Sequence, residues 1–140
     1  MTATLQPGRW ALLRVKEISN AGLDAPRTRL DVRFESVKAP GDLFWDAFWL
    51  SEKAISRLAC LVSRCGIERE VKSAKDVDVK LVAELLNKQV WAKLKADERG
   101  ARGALITDGW NFKSTEEPPE EETAIDYRAQ DEIEIALEGL

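Results

Sequence analysis

Histidine is absent from all 140 residues, and cysteine occurs only twice, at Cys60 and Cys65. Without an imidazole the chain lacks the usual general base and cannot assemble a Ser-His-Asp or Cys-His pair. Two thiols alone do not complete a tetrahedral zinc site. Cys60 and Cys65 stand five apart in a predicted helix, pointing in roughly opposed directions, which is poor geometry for a disulfide. Buried free thiols are the simpler reading. A dinucleotide fingerprint and a phosphate-cradling glycine loop are also missing. No couple among the 25 acidic side chains stands out as an acid–base pair. These absences point to a protein that is not an enzyme and uses no cofactor or metal.

Long apolar runs are missing too, and nothing approaches the ~20 residues of a membrane-spanning helix. Met1 to Gly8 has no signal-peptide apolar stretch. The expectation is a soluble cytoplasmic protein with one domain and a short appendage. At 44% hydrophobic residues the chain has enough apolar material for a real core.

Charge is unevenly spread. Residues 1–113 carry 20 basic and 15 acidic side chains, a net +5, whereas residues 114–140 carry Arg128 and ten acids, a net −9. A basic body with an acidic extension suggests a polyanion-binding domain with a regulatory or docking tail.

Period-two alternation is the dominant pattern in the body. Over Trp10–Ile18, Ala11, Leu13 and Val15 share one face and Trp10, Arg14 and Lys16 the other. Over Thr28–Val37, Leu30, Val32 and Phe34 face a core while Arg29, Asp31, Arg33 and Glu35 face outward. Ala39-Pro40-Gly41-Asp42 predicts a hairpin turn. In Leu43–Leu50, Phe44, Asp46, Phe48 and Leu50 fall on one face, and Trp45, Ala47 and Trp49 on the other. Ser51 is placed as an N-cap. Ile55, Leu58, Ala59, Val62 and Cys65 follow at helical spacing, with Gly66 to end the helix. A shorter helix is predicted over Asp78–Leu86, presenting Val79, Val82, Leu85 and Leu86, with Asn87 as its stop. Val90–Lys95 alternates again, with Val90, Ala92 and Leu94 inward and Trp91, Lys93 and Lys95 outward. A loop at Asp97–Gly103 holds Arg99 and Arg102, and Ala104–Lys113 forms the last strand. The run Glu116-Glu-Pro-Pro-Glu-Glu-Glu122 cannot build a core and is expected to be disordered. The element order is thus three strands, a helix, a short helix and two strands. An all-β class with small α content follows, as a five-stranded OB-fold-like barrel with its helix between strands three and four. Residues 1–113 form this domain and 114–140 the tail.

A binder of single-stranded nucleic acid needs cations for phosphates and aromatic faces for bases. The outward positions supply both. Trp91, Lys93 and Lys95 lie together. Arg14 and Lys16 accompany Trp10, and Trp45 and Trp49 neighbour Arg29 and Arg33, with Arg99 and Arg102 at the tip of the closing hairpin. Each feature has a plainer account. Tryptophan is commonly a core residue, and Trp45 and Trp49 suit a helix-covered face as well as a platform. Lysine stems can simply lie along a half-buried indole. Trp110 is assigned to the core or barrel rim.

The stretch Phe44-Trp-Asp-Ala-Phe-Trp-Leu50 leading into a helix, the helix end Cys65-Gly66-Ile67 and the run Leu85-Leu-Asn-Lys-Gln-Val90 carry a resemblance over about residues 9–113. In these the chain resembles phage-encoded single-stranded DNA-binding proteins of the OB-fold type. More closely it is similar to a phage family catalogued as a domain of unknown function near recombination and replication genes. That family often has glycine where Asn87 stands. The tail resembles the acidic C-termini of bacterial and phage single-strand binders, which recruit replication and repair proteins through a hydrophobic tip. Ile133, Ile135, Leu137 and Leu140 are its apolar residues, but the ending Gly139-Leu140 departs from the bacterial Pro-Phe, so no partner carries over. The resemblance implies a protein that coats single-stranded DNA during phage replication or recombination in the host cytoplasm. Its tail would recruit partners or compete with DNA, and the body could self-associate. The alternative is a phage accessory or inhibitor protein whose tryptophans form a protein interface.

Overall fold

The computed structural model describes residues 5–19, 28–98 and 104–119. Arg99, Arg102 and the tail residues Ile133, Ile135, Leu137 and Leu140 lie outside these, as does the expected disorder from residue 120 onward. Five strands, β1 (Trp10–Ser19), β2 (Arg29–Ser36), β3 (Leu43–Trp49), β4 (Gln89–Ala96) and β5 (Leu105–Lys113), form one antiparallel sheet in the order β3-β2-β1-β4-β5. Two helices, α1 (Ile55–Arg64) and α2 (Val79–Leu85), and a 3-10 turn at Ala74–Asp76 lie between β3 and β4. The protein is therefore mostly β, as expected. No described helix is long and apolar enough to cross a membrane.

Alternation places the core. Ala11, Leu13, Val15, Leu30, Val32, Phe34, Phe48, Val90, Ala92, Leu94 and Phe112 are buried on the inner side of the sheet with Ile55, Leu58, Leu61 and Val62 of α1. Phe48 is central, with ring centroids 6.3 Å from Phe34 and 6.1 Å from Phe112. Each such side chain contributes roughly 1.5–3 kcal/mol by leaving water. A bulge in β1 between Val15 and Glu17 takes up Lys16 as the extra residue. It resets the alternation, so that Ile18 packs on the core and Glu17 faces out beside Arg33.

No ladder joins β3 to β5 among the described residues; the sheet curls until these edges meet, and a polar clasp bridges them. Arg57 of α1 reaches between the two strands. Its Nε donates to the Gly109 carbonyl at 2.9 Å and Nη1 to the Ala47 carbonyl at 3.0 Å. Nη2 pairs with the Asp46 carboxylate at 2.5 Å and also donates to the Thr107 hydroxyl. Asp46 accepts in addition from the Thr107 backbone N–H at 3.0 Å and from its hydroxyl. The guanidinium lies 4.2 Å from the centroid of the Phe48 ring. Asp46 and Thr107 are buried, so these bonds form out of water, where a missing partner is expensive.

Three local expectations are corrected. Ser51 is not the cap of α1. It opens a turn, accepting from the N–H groups of Ala54 and Ile55 through its carbonyl, and Ala54 stands at the cap without a side-chain bond. In α2 the buried residues are Leu81 and Leu85, one turn apart, while Val79 and Leu86 are exposed. The Asp78 side chain caps this helix by accepting from Leu81 N–H at 2.8 Å. That bond, aided by Arg69, holds the Asp78 carboxyl below its ordinary range. Cys60 and Cys65 are free thiols, half-buried rather than sealed. Burial pushes the Cys65 thiol up to about 12, so it stays protonated at neutral pH and is a poor nucleophile.

Two outcomes follow from this architecture. Asp46→Ala leaves Arg57, only 16% exposed, without its counter-charge and should cost about 3 kcal/mol, read as a lower denaturant midpoint. Asn87 holds a left-handed backbone, φ 69°, and donates its N–H to the Val15 carbonyl at 2.8 Å. Asn87→Val should destabilise by about 1–2 kcal/mol, whereas Asn87→Gly should stay within about 0.5 kcal/mol of the parent in the same unfolding measurement.

Candidate nucleic-acid interface

Because Asp46, Phe48 and Leu50 turn inward, Trp45, Ala47 and Trp49 must turn outward. Both indoles are open to solvent, Trp45 at 44% and Trp49 at 49% exposure. Neither is covered by a helix, which settles the two accounts of this strand in favour of an open face. The β2–β3 register sets Arg29 opposite Trp49 and Arg33 opposite Trp45. Each guanidinium carbon lies 5.7 Å from the centre of its partner ring, within cation–π range. Ala47 separates the two indoles, which sit ~13 Å apart along the strand by its rise per residue.

The arginines are also held by acids. Arg29 pairs with Asp31 at 3.2 Å, Arg33 with Glu17 at 3.5 Å and Arg14 with Glu35 at 3.6 Å. The Arg29–Asp31 and Arg33–Glu17 pairs are partly exposed and contribute at most about 1 kcal/mol each, whereas Glu35, expected to face outward, is buried. The Nε of Arg33 is buried and has no hydrogen-bond partner, consistent with a guanidinium positioned by its ring contact rather than by a fork of donors.

A second group lies across the sheet. Trp10 of β1 stands opposite Lys93 of β4, and Trp91 of β4 stands opposite Leu12 on one side and Lys113 of β5 on the other. Lys113 Nζ lies 5.4 Å from the centre of the Trp10 ring. Trp91 and Lys93 are half-buried and Lys95 is exposed. Trp10 points to this face as expected, yet only 9% of it is exposed. With Lys113 over its ring, it serves as a floor for lysine side chains and not as an open platform. Lys16, on the β1 bulge, is exposed.

The structure thus brings together Trp45, Trp49, Arg29 and Arg33 in one patch, and Trp91, Lys93 and Lys95 in another. Arg14 and Lys16 lie on β1 between them. Two residues have places that alternation does not mark. Lys113 ends a strand in the sequence pattern, and in the fold this cation sits against β4. Trp110, assigned to core or rim, is 55% exposed. The β4–β5 register shifts between Ala92 and Leu94, and Gly109 adopts φ 57°. This bulge throws Trp110 over α1, where its Nε1 donates to Ser56 Oγ at 3.1 Å. A glycine inside an otherwise regular strand is the signal for such a bulge.

Among the described residues no cluster of histidine, cysteine or carboxylate side chains is grouped to hold a metal ion. Comparison with protein-family models and with curated protein sequences finds no match to this chain.

Proposed function

We propose that the protein binds single-stranded DNA on the outer surface of an OB-fold barrel. The strand order β3-β2-β1-β4-β5, the helix between β3 and β4, and the clasp linking β3 to β5 support the barrel reading. In OB-folds the surface of strands two and three is the customary oligonucleotide face. The observation that carries the proposal is the pair of exposed tryptophans on that face, each with an arginine beside its ring. An exposed indole is an apolar surface left in water, and a base stacked on it gains ~1–3 kcal/mol whatever its identity. The arginines lie where a sugar-phosphate backbone would run beside stacked bases. In this reading the protein coats single strands during phage replication or recombination, and its acidic tail recruits partners or competes for the binding face.

One observation favours a second reading. Glu17, Asp31 and Glu35 are interleaved with the arginines, which makes the β2 surface mixed in sign. Tryptophan and arginine with complementary acids also suit a protein partner. A stoichiometric protein partner recovered by pull-down, with no binding of oligo(dT), would establish that alternative.

Titration with oligo(dT) should quench tryptophan fluorescence, and raising the salt should weaken binding steeply. Trp45→Ala and Trp49→Ala should each lower affinity about tenfold while leaving the circular dichroism spectrum unchanged. Unaltered fluorescence together with no mobility shift at low salt would defeat the proposal. Residues 120–140 hold eight acids and one arginine. Deleting them should tighten oligo(dT) binding, measured in the same titration, and an equal or weaker affinity would remove the competing role from the tail.

A further inference from the structure

We propose that the outer surface of β1, β4 and β5 is a separate phosphate-binding subsite, formed by Lys93, Lys95 and Lys113, over which the same DNA strand continues after leaving Trp45 and Trp49. The inference rests on the single-strand reading and adds a path and a division of labour to it.

The two halves of the outer surface differ in how their charge is used. On β1 and β2 the arginines that face outward with the tryptophans, Arg14, Arg29 and Arg33, each have a carboxylate within 3.6 Å, and Lys16 on the β1 bulge is the exposed exception. That half is close to neutral and offers rings. On β4 and β5, Lys93, Lys95 and Lys113 make no ion pair among the described residues. That half offers uncompensated positive charge. The register further orders it. Lys93 faces Trp10 across the β1–β4 ladder, and Lys113 faces Trp91 across the β4–β5 ladder. Tryptophan and lysine thus alternate across neighbouring strands. The Trp10 ring is too covered to take a base, and Lys113 Nζ rests over it. A buried indole beneath a lysine, as Trp10 is beneath Lys113, restricts where the ammonium group goes without neutralising it. An ammonium is a compact point charge suited to phosphate oxygens along a moving backbone and not to bidentate readout of a base edge.

The two halves are continuous. β1 alone separates β2 from β4, so the step from one to the other is about 10 Å at the usual strand spacing. Because the sheet curls until β3 meets β5, the outer surface is convex. A strand stacked on Trp45 and Trp49 reaches the lysines by wrapping around β1, passing Leu12 and Arg14. A short oligonucleotide is held by the tryptophans alone, and a longer one engages both halves.

The test uses full-length protein with oligo(dT) of about 5 and about 15 nucleotides, near the two ends of the site sizes OB-folds take. Affinity is measured over a range of salt. For the parent, the slope of log affinity against log salt should be steeper with the longer oligonucleotide. The triple variant Lys93→Gln, Lys95→Gln, Lys113→Gln should reduce that slope by about 2, from ~0.7 per lost phosphate contact. It should leave the short oligonucleotide's slope and fluorescence quenching unchanged. Lys95→Gln alone, at an exposed position near the end of β4, should lower the slope by about 0.7 and serves if the triple variant does not fold. A control with Lys75→Gln and Lys80→Gln, exposed lysines between β3 and β4, should leave both slopes as in the parent. An unchanged slope for the longer oligonucleotide in the lysine variants overturns the subsite while tryptophan-dependent binding of the short one stands. An equal loss in the control variant also overturns it, since net charge alone then accounts for the effect. Failure of both oligonucleotides to bind the parent defeats the single-strand reading and the subsite with it.

Discussion

The bridge from Arg57 to Asp46 and Thr107 decides how the sheet is shaped. A five-stranded sheet with one apolar face has two edges to protect, and here β3 and β5 meet without a ladder between them. Arg57 stands in for it, donating to carbonyls of both strands and pairing with Asp46 while Asp46 receives the Thr107 N–H. A buried ion pair adds little net stability compared with apolar packing, because desolvation offsets the attraction. Its value lies in geometry. The placement of β3 beside β5 satisfies the Arg57 and Thr107 donors together. That placement commits Asp46 and Phe48 to the inside and therefore Trp45 and Trp49 to the outside. A slip of one residue would exchange the two sets.

The alternation that places Leu30, Val32 and Phe34, or Val90, Ala92 and Leu94, is written locally and was readable without coordinates. So was the outward direction of Trp45 and Trp49, because Asp46, Phe48 and Leu50 share a parity. What could not be read is what an inward aspartate was for. Its partners lie 11 and 61 residues away, one of them on a helix, and pattern within a strand carries no information about them. The same limit explains Trp10. Its face was readable, but its cover comes from β4 and β5, which approach it only in the folded sheet. In α2 the apolar residues ring so much of a short helix that periodicity alone does not choose a side. Burial in the common core chose Leu81 and Leu85. Trp110 is a different case, since Gly109 beside it was a visible sign of a bulge that a strict alternation rule overrides.

Arginine and lysine divide the outer surface in a way that composition conceals. A net charge of +5 over residues 1–113 suggests a uniformly basic body, yet the arginines of β1 and β2 are compensated at close range, and among the described residues the lysines of β4 and β5 are not. The difference fits the chemistry of the two side chains. Guanidinium carries its charge on a planar fork that can sit beside an indole while one of its nitrogens meets a carboxylate, as Arg29 does with Trp49 and Asp31. Ammonium has no plane to match and stays hydrated.

This arrangement bears on how binding could be firm on an exposed surface. Two bare indoles on a strand would be free to change rotamer, and ordering them would cost part of the stacking energy at each encounter. Here each ring has a guanidinium beside it, and each guanidinium is itself tied to an acid. The acids therefore do two opposed things. They hold the arginines against the rings before a ligand arrives, and they lower the positive potential that would draw one in. The first effect acts at contact distance and is weakened by salt as any exposed ion pair is, whereas the second fades beyond a Debye length of about 8 Å at physiological ionic strength. In the proposed reading, lysines on β4 and β5 that make no ion pair among the described residues would restore the long-range attraction without disturbing the ordered rings. On the proposed function, recognition and recruitment would then be properties of different parts of one curved sheet, joined by the clasp between its edges.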